Sequence, residues 1–188
     1  MLFEFVSHKD CLLTIVTRRT LLIPYTEALE SEFLMLNCCV KNRAQMNGPK
    51  TVASARKLFQ RVIGDPEYHA MAVLDNYNRE YMGHVYVETD IREQAELAYI
   101  FDKAYWGKGL ATEALKAYFP HVCQQLNLTH VSATANIGHD ASIAILRKLG
   151  FTMVGVDEDD FGQFYRFEWH QVTKAEVSGV VVGETYPL

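Results

Sequence analysis

The segment ELAYIFDKAYWGKGLATEA, residues 96–114, decides the fold. Leu97 to Phe101 is an apolar run, rich in aromatic and branched residues and short enough for a buried strand. Asp102 and Lys103 make a charged turn, and Trp106-Gly107-Lys108-Gly109-Leu110-Ala111 leads into a stretch of helix formers. There Leu110, Ala114, Leu115, Tyr118 and Phe119 recur every three or four residues, the period of a helix with one buried face. The order is strand, glycine turn, helix. The first turn of a helix has four N–H groups without intrahelical partners, and the aligned peptide dipoles add partial positive charge there. Two glycines separated by one residue let an anion reach those amides without meeting a side chain, so the turn is a candidate phosphate cradle.

Two familiar phosphate loops are excluded. The Walker spacing G-x-x-x-x-G-K-[ST] is absent around Lys108, and the dinucleotide fingerprint fails because Gly107-Lys108-Gly109-Leu110-Ala111-Thr112 ends in Thr. A second segment repeats the order of the first. Ala135-Asn136-Ile137-Gly138-His139-Asp140-Ala141-Ser142, followed by Ile143 to Leu149 and Gly150-Phe151, reads as strand end, helix start, helix and glycine exit. Gly109-Leu110-Ala111 resembles part of the pyrophosphate motif of the GNAT acyltransferases, which bind acyl-coenzyme A. Residues 135–151 resemble the N-x-x-N-x-x-S and K-L-G-F segment of that family's Rim-type branch, the ribosomal-protein N-terminal acetyltransferases. Tyr99 to Ala114 matches Y-x-x-x-x-x-Y-W-G-K-G-x-A-T-E-A of the same branch. A single short motif is weak, but two ordered blocks about 30 residues apart make a strong joint signal.

Length and composition agree with one such domain. The 188 residues suit a single core that buries about 70% of the unfolded surface. The expected core spans about residues 12–172, with 173–188 as a C-terminal extension. Hydrophobic residues at 49% and charged residues at 22%, with no long uncharged apolar window, predict no membrane span. The N-terminus carries Glu4 and lacks the basic start of a secretory signal, so a cytoplasmic location is expected. Cys11, Cys38, Cys39 and Cys123 form no C-x-x-C pair and read as reduced thiols. The seven histidines are scattered with no H-E-x-x-H arrangement, and no metal is expected. Net charge is −5, which disfavours nonspecific nucleic-acid binding and would attract a cationic partner such as a protonated amine. Asp157 to Asp160 can equally be read as a solvated loop.

In chain order, a short strand at Leu2–Val6 is conceivable, and Leu21 to Ile23 reads as the first main strand. Thr26 is placed as the N-cap of a helix along Leu29, Phe33, Leu36 and Val40. Thr51 caps a second helix ending near Gly64, with Arg56, Lys57 and Arg61 on a solvated face. Tyr68–Leu74, Tyr81–Glu88 and Gln94–Phe101 form an antiparallel meander that places Glu96 near the centre of the sheet. A helix to about Gln125, a strand at Thr129–Ala135, a helix at Asp140–Leu149, and strands at Phe151–Val156 and Phe164–Val172 follow. Val180 to Val182 suggests an edge strand or a subunit contact. The fold class is α/β of the mixed α+β kind: a mostly antiparallel central sheet with helices on both faces. The resemblance adds a splayed parallel strand pair that opens a cleft, acetyl-coenzyme A as cosubstrate, and a homodimer.

The resemblance also assigns roles. Backbone amides of Gly107, Lys108, Gly109, Leu110 and Ala111 would hold the pyrophosphate, with the Lys108 side chain adding charge. Trp106 stands where many relatives carry Gln or Arg, and packing is its alternative role. The Phe101 backbone would bond the acetyl or pantetheine portion, and Asn136 the amide-rich arm. His139 replaces an Asn of the pattern. Ser142 is the family-position candidate to stabilise the departing thiolate, since Leu146 occupies the site of the usual Tyr and can donate nothing. Glu96 is the candidate base, acting directly or through water, with Tyr165 in reserve. A Glu that follows G-F in some Rim-type members is missing, because Val154 precedes Gly155. The implied reaction is direct acetyl transfer to an amine: a peptide N-terminus, a polyamine or an aminoglycoside-like molecule. A coenzyme-binding module without catalysis is the alternative.

Overall fold

A computed structural model of the chain describes residues 14–90 and 94–171. The expected strand at Leu2–Val6, the segment Val180–Val182 and Cys11 lie outside the described residues. The strands are β1 (Ile15–Val16), β2 (Thr20–Pro24), β3 (Tyr68–Asp75), β4 (Tyr81–Thr89), β5 (Ala95–Phe101), β6 (His130–Asn136), β7 (Thr152–Asp159) and β8 (Gly162–His170). The helices are α1 (Glu30–Cys38), α2 (Val52–Gly64), α3 (Leu110–Gln125) and α4 (Asp140–Lys148). The eight strands among the described residues form one sheet in the order β1-β2-β3-β4-β5-β6-β8-β7. Every neighbouring pair is antiparallel except β5 with β6. The expected mixed, mostly antiparallel sheet is what the chain forms. None of the described helices is long and apolar enough to cross a membrane.

The sheet is packed on both faces because its central strands are apolar on both sides. All of β3 except Asp75 is buried, as expected of a strand with cover above and below. On one face Leu110, Ala114, Leu115, Tyr118 and Phe119 of α3 pack with Val85, Val87, Leu97 and Phe101 of the sheet and Leu146 of α4. On the other, Phe33 of α1 and Phe59 and Val62 of α2 pack with Tyr68 and Ala70. Each fully buried Leu or Phe contributes about 1.5–3 kcal/mol relative to exposure, so these two layers fix the helices to the sheet.

Of the two helix caps expected from the sequence, one forms and one does not. Thr51 does cap α2, its hydroxyl accepting the Ser54 N–H at 3.2 Å. Thr26 makes no such bond; a single 3-10 turn at Glu27–Leu29 intervenes, and α1 begins only at Glu30. The helix ends at Cys38, leaving Val40 exposed, because the chain must turn to bring buried Asn42 against the end of β5. The acidic run is also corrected: Asp157 to Asp159 belong to β7 and pair with β8, and only Asp160 and Phe161 make the reversal. Charge on a sheet-edge strand is an ordinary guard against further pairing, and Arg166 holds Asp157 at 2.7 Å.

Two close approaches in the core set the geometry near β5. A Cβ at Gly83 would collide with the Ile100 carbonyl oxygen and lie 2.8 Å from the Phe101 Cα, so β4 and β5 can run this tightly only with glycine there. The fully buried Tyr118 hydroxyl accepts the Val87 N–H at 3.0 Å and donates to the His69 carbonyl, reaching the backbone of both β3 and β4. Tyr118→Phe removes that partner from two buried backbone groups, at about 1–3 kcal/mol for each group left unsatisfied. The variant is expected to lose about 3 kcal/mol in denaturant unfolding with an unchanged m-value.

Candidate active site

Strands β5 and β6 share a single register pair, Glu96 with Ser132. Beyond it toward Phe101 and Asn136 they no longer pair. On its other side β5 stays in step with β4 through Gly83↔Phe101, and the Asp102 N–H donates to the Met82 carbonyl at 2.8 Å. Alternation in an antiparallel ladder then turns the N–H and C=O of Tyr99 and Phe101 away from β4, toward the gap left by β6. A cleft of about 570 Å³ occupies that gap, lined by Tyr99, Ile100 and Phe101, by the glycine turn and by the start of α4. Its size is that of an ordinary small-molecule pocket.

One wall of the cleft is the glycine turn. Gly107 and Gly109 have φ of 71° and 74°, left-handed values that favour glycine. Gly109 is the N-cap of α3 and supplies no side-chain bond, so the first-turn amides are uncapped where Leu110, Ala111 and Thr112 line the cleft. The acid in that turn, Glu113, faces away. Partial burial pushes its carboxyl pKa up, but the Thr17 hydroxyl at 2.8 Å and the Arg19 N–H and guanidinium, each at 2.7 Å, bring it below the usual value. The positive end of α3 is thus left open to an anion. Trp106, 41% exposed, lines the cleft and donates its indole N–H to the Phe101 carbonyl at 2.8 Å. That bond occupies one lone pair of the carbonyl expected to meet the ligand. The Lys108 side chain lies outside the cleft, 5.7 Å from the Tyr105 ring, in a neighbouring groove with Arg18 and Arg19.

The opposite wall is the start of α4. Ser142 is 93% buried, and its hydroxyl lies 2.8 Å from that of Tyr99. Burial pushes the Tyr99 phenol up to about 12, against the lowering effect of Ser142, so it holds its proton at neutral pH. Tyr99 has no role in the sequence reading beyond a motif letter. Its odd position, sharing one face of β5 with Phe101, is the signal that could have drawn it in. His139 lines the cleft beside them, and burial lowers its pKa despite Asp140, which favours a neutral imidazole. Leu146 is buried in the core. Asn136 is not among the lining residues; its amide donates to the Gln45 carbonyl at 3.2 Å, tying β6 to the chain between α1 and α2. Asn42 of the same connection bonds Asp102 and Lys103 at 2.8 and 2.9 Å. The connection therefore straps both ends of the gap, which sequence spacing gave no means of seeing.

Glu96 stands at the apex, on the opposite face of β5 from Tyr99 and outside the cleft lining. The surrounding sheet partly desolvates it and Glu88 faces it across the ladder, both raising its carboxyl pKa. Like charges placed opposite each other are unfavourable, and Arg61 relieves the pair by holding Glu88 at 3.0 Å. Tyr165 is half-buried against the core, paired with Ala135 and Val156, and is not among the residues lining the cleft.

The donor set fits an acyl-coenzyme A: uncapped amides for a diphosphate, outward backbone groups for an amide-bearing arm, and a hydroxyl pair beside them. The chain is 26% identical to YdaF of Bacillus subtilis, provisionally named a ribosomal N-acetyltransferase, over 92 residues. That match covers 47% of this chain and spans only half the length of YdaF. It is 29% identical to YjcK of the same organism, provisionally named an N-acetyltransferase, over 129 residues, 65% of this chain and 71% of YjcK. Its fold is shared with the Vibrio cholerae spermidine N-acetyltransferase solved with CoA and spermine, at a TM-score of 0.72 and 16% identity over 82% of this chain and 97% of that one. Residues 19–152 match the acetyltransferase (GNAT) domain, and the chain belongs to the GNAT acetyltransferase family.

Proposed function

We propose that the chain moves an acetyl group from acetyl-coenzyme A to an amine by direct attack within a ternary complex. The observation that carries this reading is the uncapped start of α3, with Gly107 and Gly109 in left-handed conformations, facing the gap where β5 leaves β6. The thioester supplies an activated acyl carbon. The amine nitrogen forms the new N–C bond, the C–S bond breaks, and the tetrahedral intermediate between them carries negative charge on oxygen. The departing thiolate takes a proton from the Ser142–Tyr99 hydroxyl pair, with Tyr99 reprotonating Ser142 from its protonated state. The cationic acceptor first gives one proton to Glu96, through water across the apex, to become the neutral nucleophile; the second, released as the amide forms, goes to solvent, from which Tyr99 regains its proton. A carboxyl whose pKa is raised by its surroundings and by Glu88 is the better proton acceptor near neutral pH.

The acceptor is a cationic amine in its resting state. Glu96 offers it negative charge on one face, while the thioester comes in against the other and Arg61 holds the neighbouring Glu88 at 3.0 Å. A polyamine or a peptide N-terminus meets this requirement. Spermine in the Vibrio cholerae neighbour and the ribosomal name of YdaF support one each. The missing acid beside Val154 argues against the specific Rim-type substrate.

Coenzyme A at about 100 times its Kd is expected to add about 2.7 kcal/mol to stability, read as a thermal shift. Gly109→Ala sets a methyl group 3.6 Å from Arg19 Nη2 and strains a left-handed position by about 1–2 kcal/mol, shifting the turn that presents the amides. It should weaken coenzyme binding at least tenfold; unchanged affinity would remove the cradle from the site. Ser142→Ala and Tyr99→Phe are each expected to lower kcat about 10- to 100-fold with little change in the KM for the thioester. The double variant should lose no more than the worse single one, as for groups acting as a unit. Glu96 accepts a proton only when ionised, so kcat/KM should rise with pH through its titration. Glu96→Gln should flatten that acid limb in a thiol-release assay over an amine panel. Binding without turnover on any amine would favour the inactive module.

A further inference from the structure

At the end of β6 remote from the cleft mouth the fold assembles three side chains that lie far apart in the chain. His130 opens β6, and Glu168 and His170 lie at the end of β8. Register pairs His130 with His170 and Ser132 with Glu168, so all three side chains leave the same face of the sheet. His130 Nε2 and His170 Nε2 converge on one carboxylate oxygen, Glu168 Oε2, at 3.6 and 3.3 Å. One ligand atom from each residue falls within 4.8 Å of the others. The imidazole rings lie 4.7 Å apart and tilted by 37°. The sequence reading expected no metal from the absence of an H-E-x-x-H run. That test concerns one helix face and cannot detect ligands joined across a β-ladder.

A tetrahedral centre with ligand bonds of about 2.0–2.1 Å has ligand–ligand edges of about 3.4 Å. One triangular face of an octahedron with similar bonds has edges of about 3.0 Å. The two edges to Glu168, 3.3 and 3.6 Å, bracket the tetrahedral value, and the edge between the two imidazoles stays within 4.8 Å. Two imidazoles with one carboxylate suit zinc-class ions, whereas calcium and magnesium prefer all-oxygen sites. Side-chain exposures of 41% for His130, 35% for Glu168 and 64% for His170 leave an approach for the ion and a solvent-facing fourth position. We propose that His130, Glu168 and His170 bind a zinc-class divalent cation, with water as the fourth ligand. The ion would cross-link β6 to β8 of the outer hairpin.

The alternative is a plain carboxylate accepting from two imidazoles, with no affinity for metal. The test titrates Co(II), then Zn(II), into the untagged, metal-stripped full-length chain, following visible absorption and heat. The expected result is one saturable equivalent of Co(II) with the intense absorption of a four-coordinate centre, displaced by one equivalent of Zn(II). His130→Ala, His170→Ala and Glu168→Gln should each weaken binding at least tenfold, while His121→Ala leaves it unchanged. Saturating Zn(II) should raise the Tm of the parent chain by several degrees and leave that of His170→Ala where it was. All three residues are partly exposed, so the variants are expected to fold, which circular dichroism checks. Absence of saturable binding, a weak six-coordinate spectrum, or affinity unaltered in His170→Ala would overturn the assignment.

Discussion

The molecule turns on a pairing that stops. Two parallel strands meet at Glu96 and Ser132 and go no further. A sheet interrupted in this way exposes backbone N–H and C=O groups inside a protein, and each such group costs about 1–3 kcal/mol if left unsatisfied. The surrounding elements keep the strands apart while leaving those groups usable. Trp106 takes one lone pair of the Phe101 carbonyl, Ser132 Oγ donates to the Ala95 carbonyl at 3.1 Å near the apex, and Asn42 and Asn136 tie the two free ends to the connection between α1 and α2. The resulting gap has polar backbone on its β5 wall, helix amides on a second side and hydroxyls on a third.

Its electrostatics follow from what has been turned away. A helix start with an acid in its first turn would ordinarily repel an anion. Here Glu113 is held by Thr17 and Arg19, and Arg19 also bonds the Lys108 carbonyl at 2.9 Å, fixing the turn from behind. The nearby imidazole, His139, is drawn toward its neutral form. Lys148 lines the cleft and adds a positive charge, and the rest of the attraction for a diphosphate comes from oriented amides, each a modest contribution, backed by a helix dipole worth about 0.3–1 kcal/mol at an exposed terminus. On the other side of β5 a buried His84 is held near pKa 3 by desolvation and by Arg43, so it adds no positive charge in the physiological range.

Much of this was legible in the sequence because it was local. The glycine turn, its preceding strand and its following helix announce themselves by composition and by periods of two and 3.6. So do the meander and the last hairpin. What was not legible depends on register. Tyr99 meets Ser142 only because odd residues of β5 face α4, and Lys108 leaves the cleft only because Gly107 and Gly109 both turn left-handed around it. The strap at Asn42 and Gln45 sits in a stretch with no periodicity, and its partners lie 60 and 91 residues away. The acidic run was misread as a loop because charge on an edge strand and charge in a turn look alike until pairing partners are known.

The Tyr118 hydroxyl, described as a bond to two strands, also acts as an axial stop. It lies eight residues into α3 from Leu110, about 12 Å along the helix from the amides that face the cleft. If α3 slid by one residue, about 1.5 Å, that hydroxyl would miss both Val87 and His69. The placement of the anion-facing terminus is therefore gauged from the middle of the core, and a helix that cannot creep keeps its open end at a fixed height above the strands.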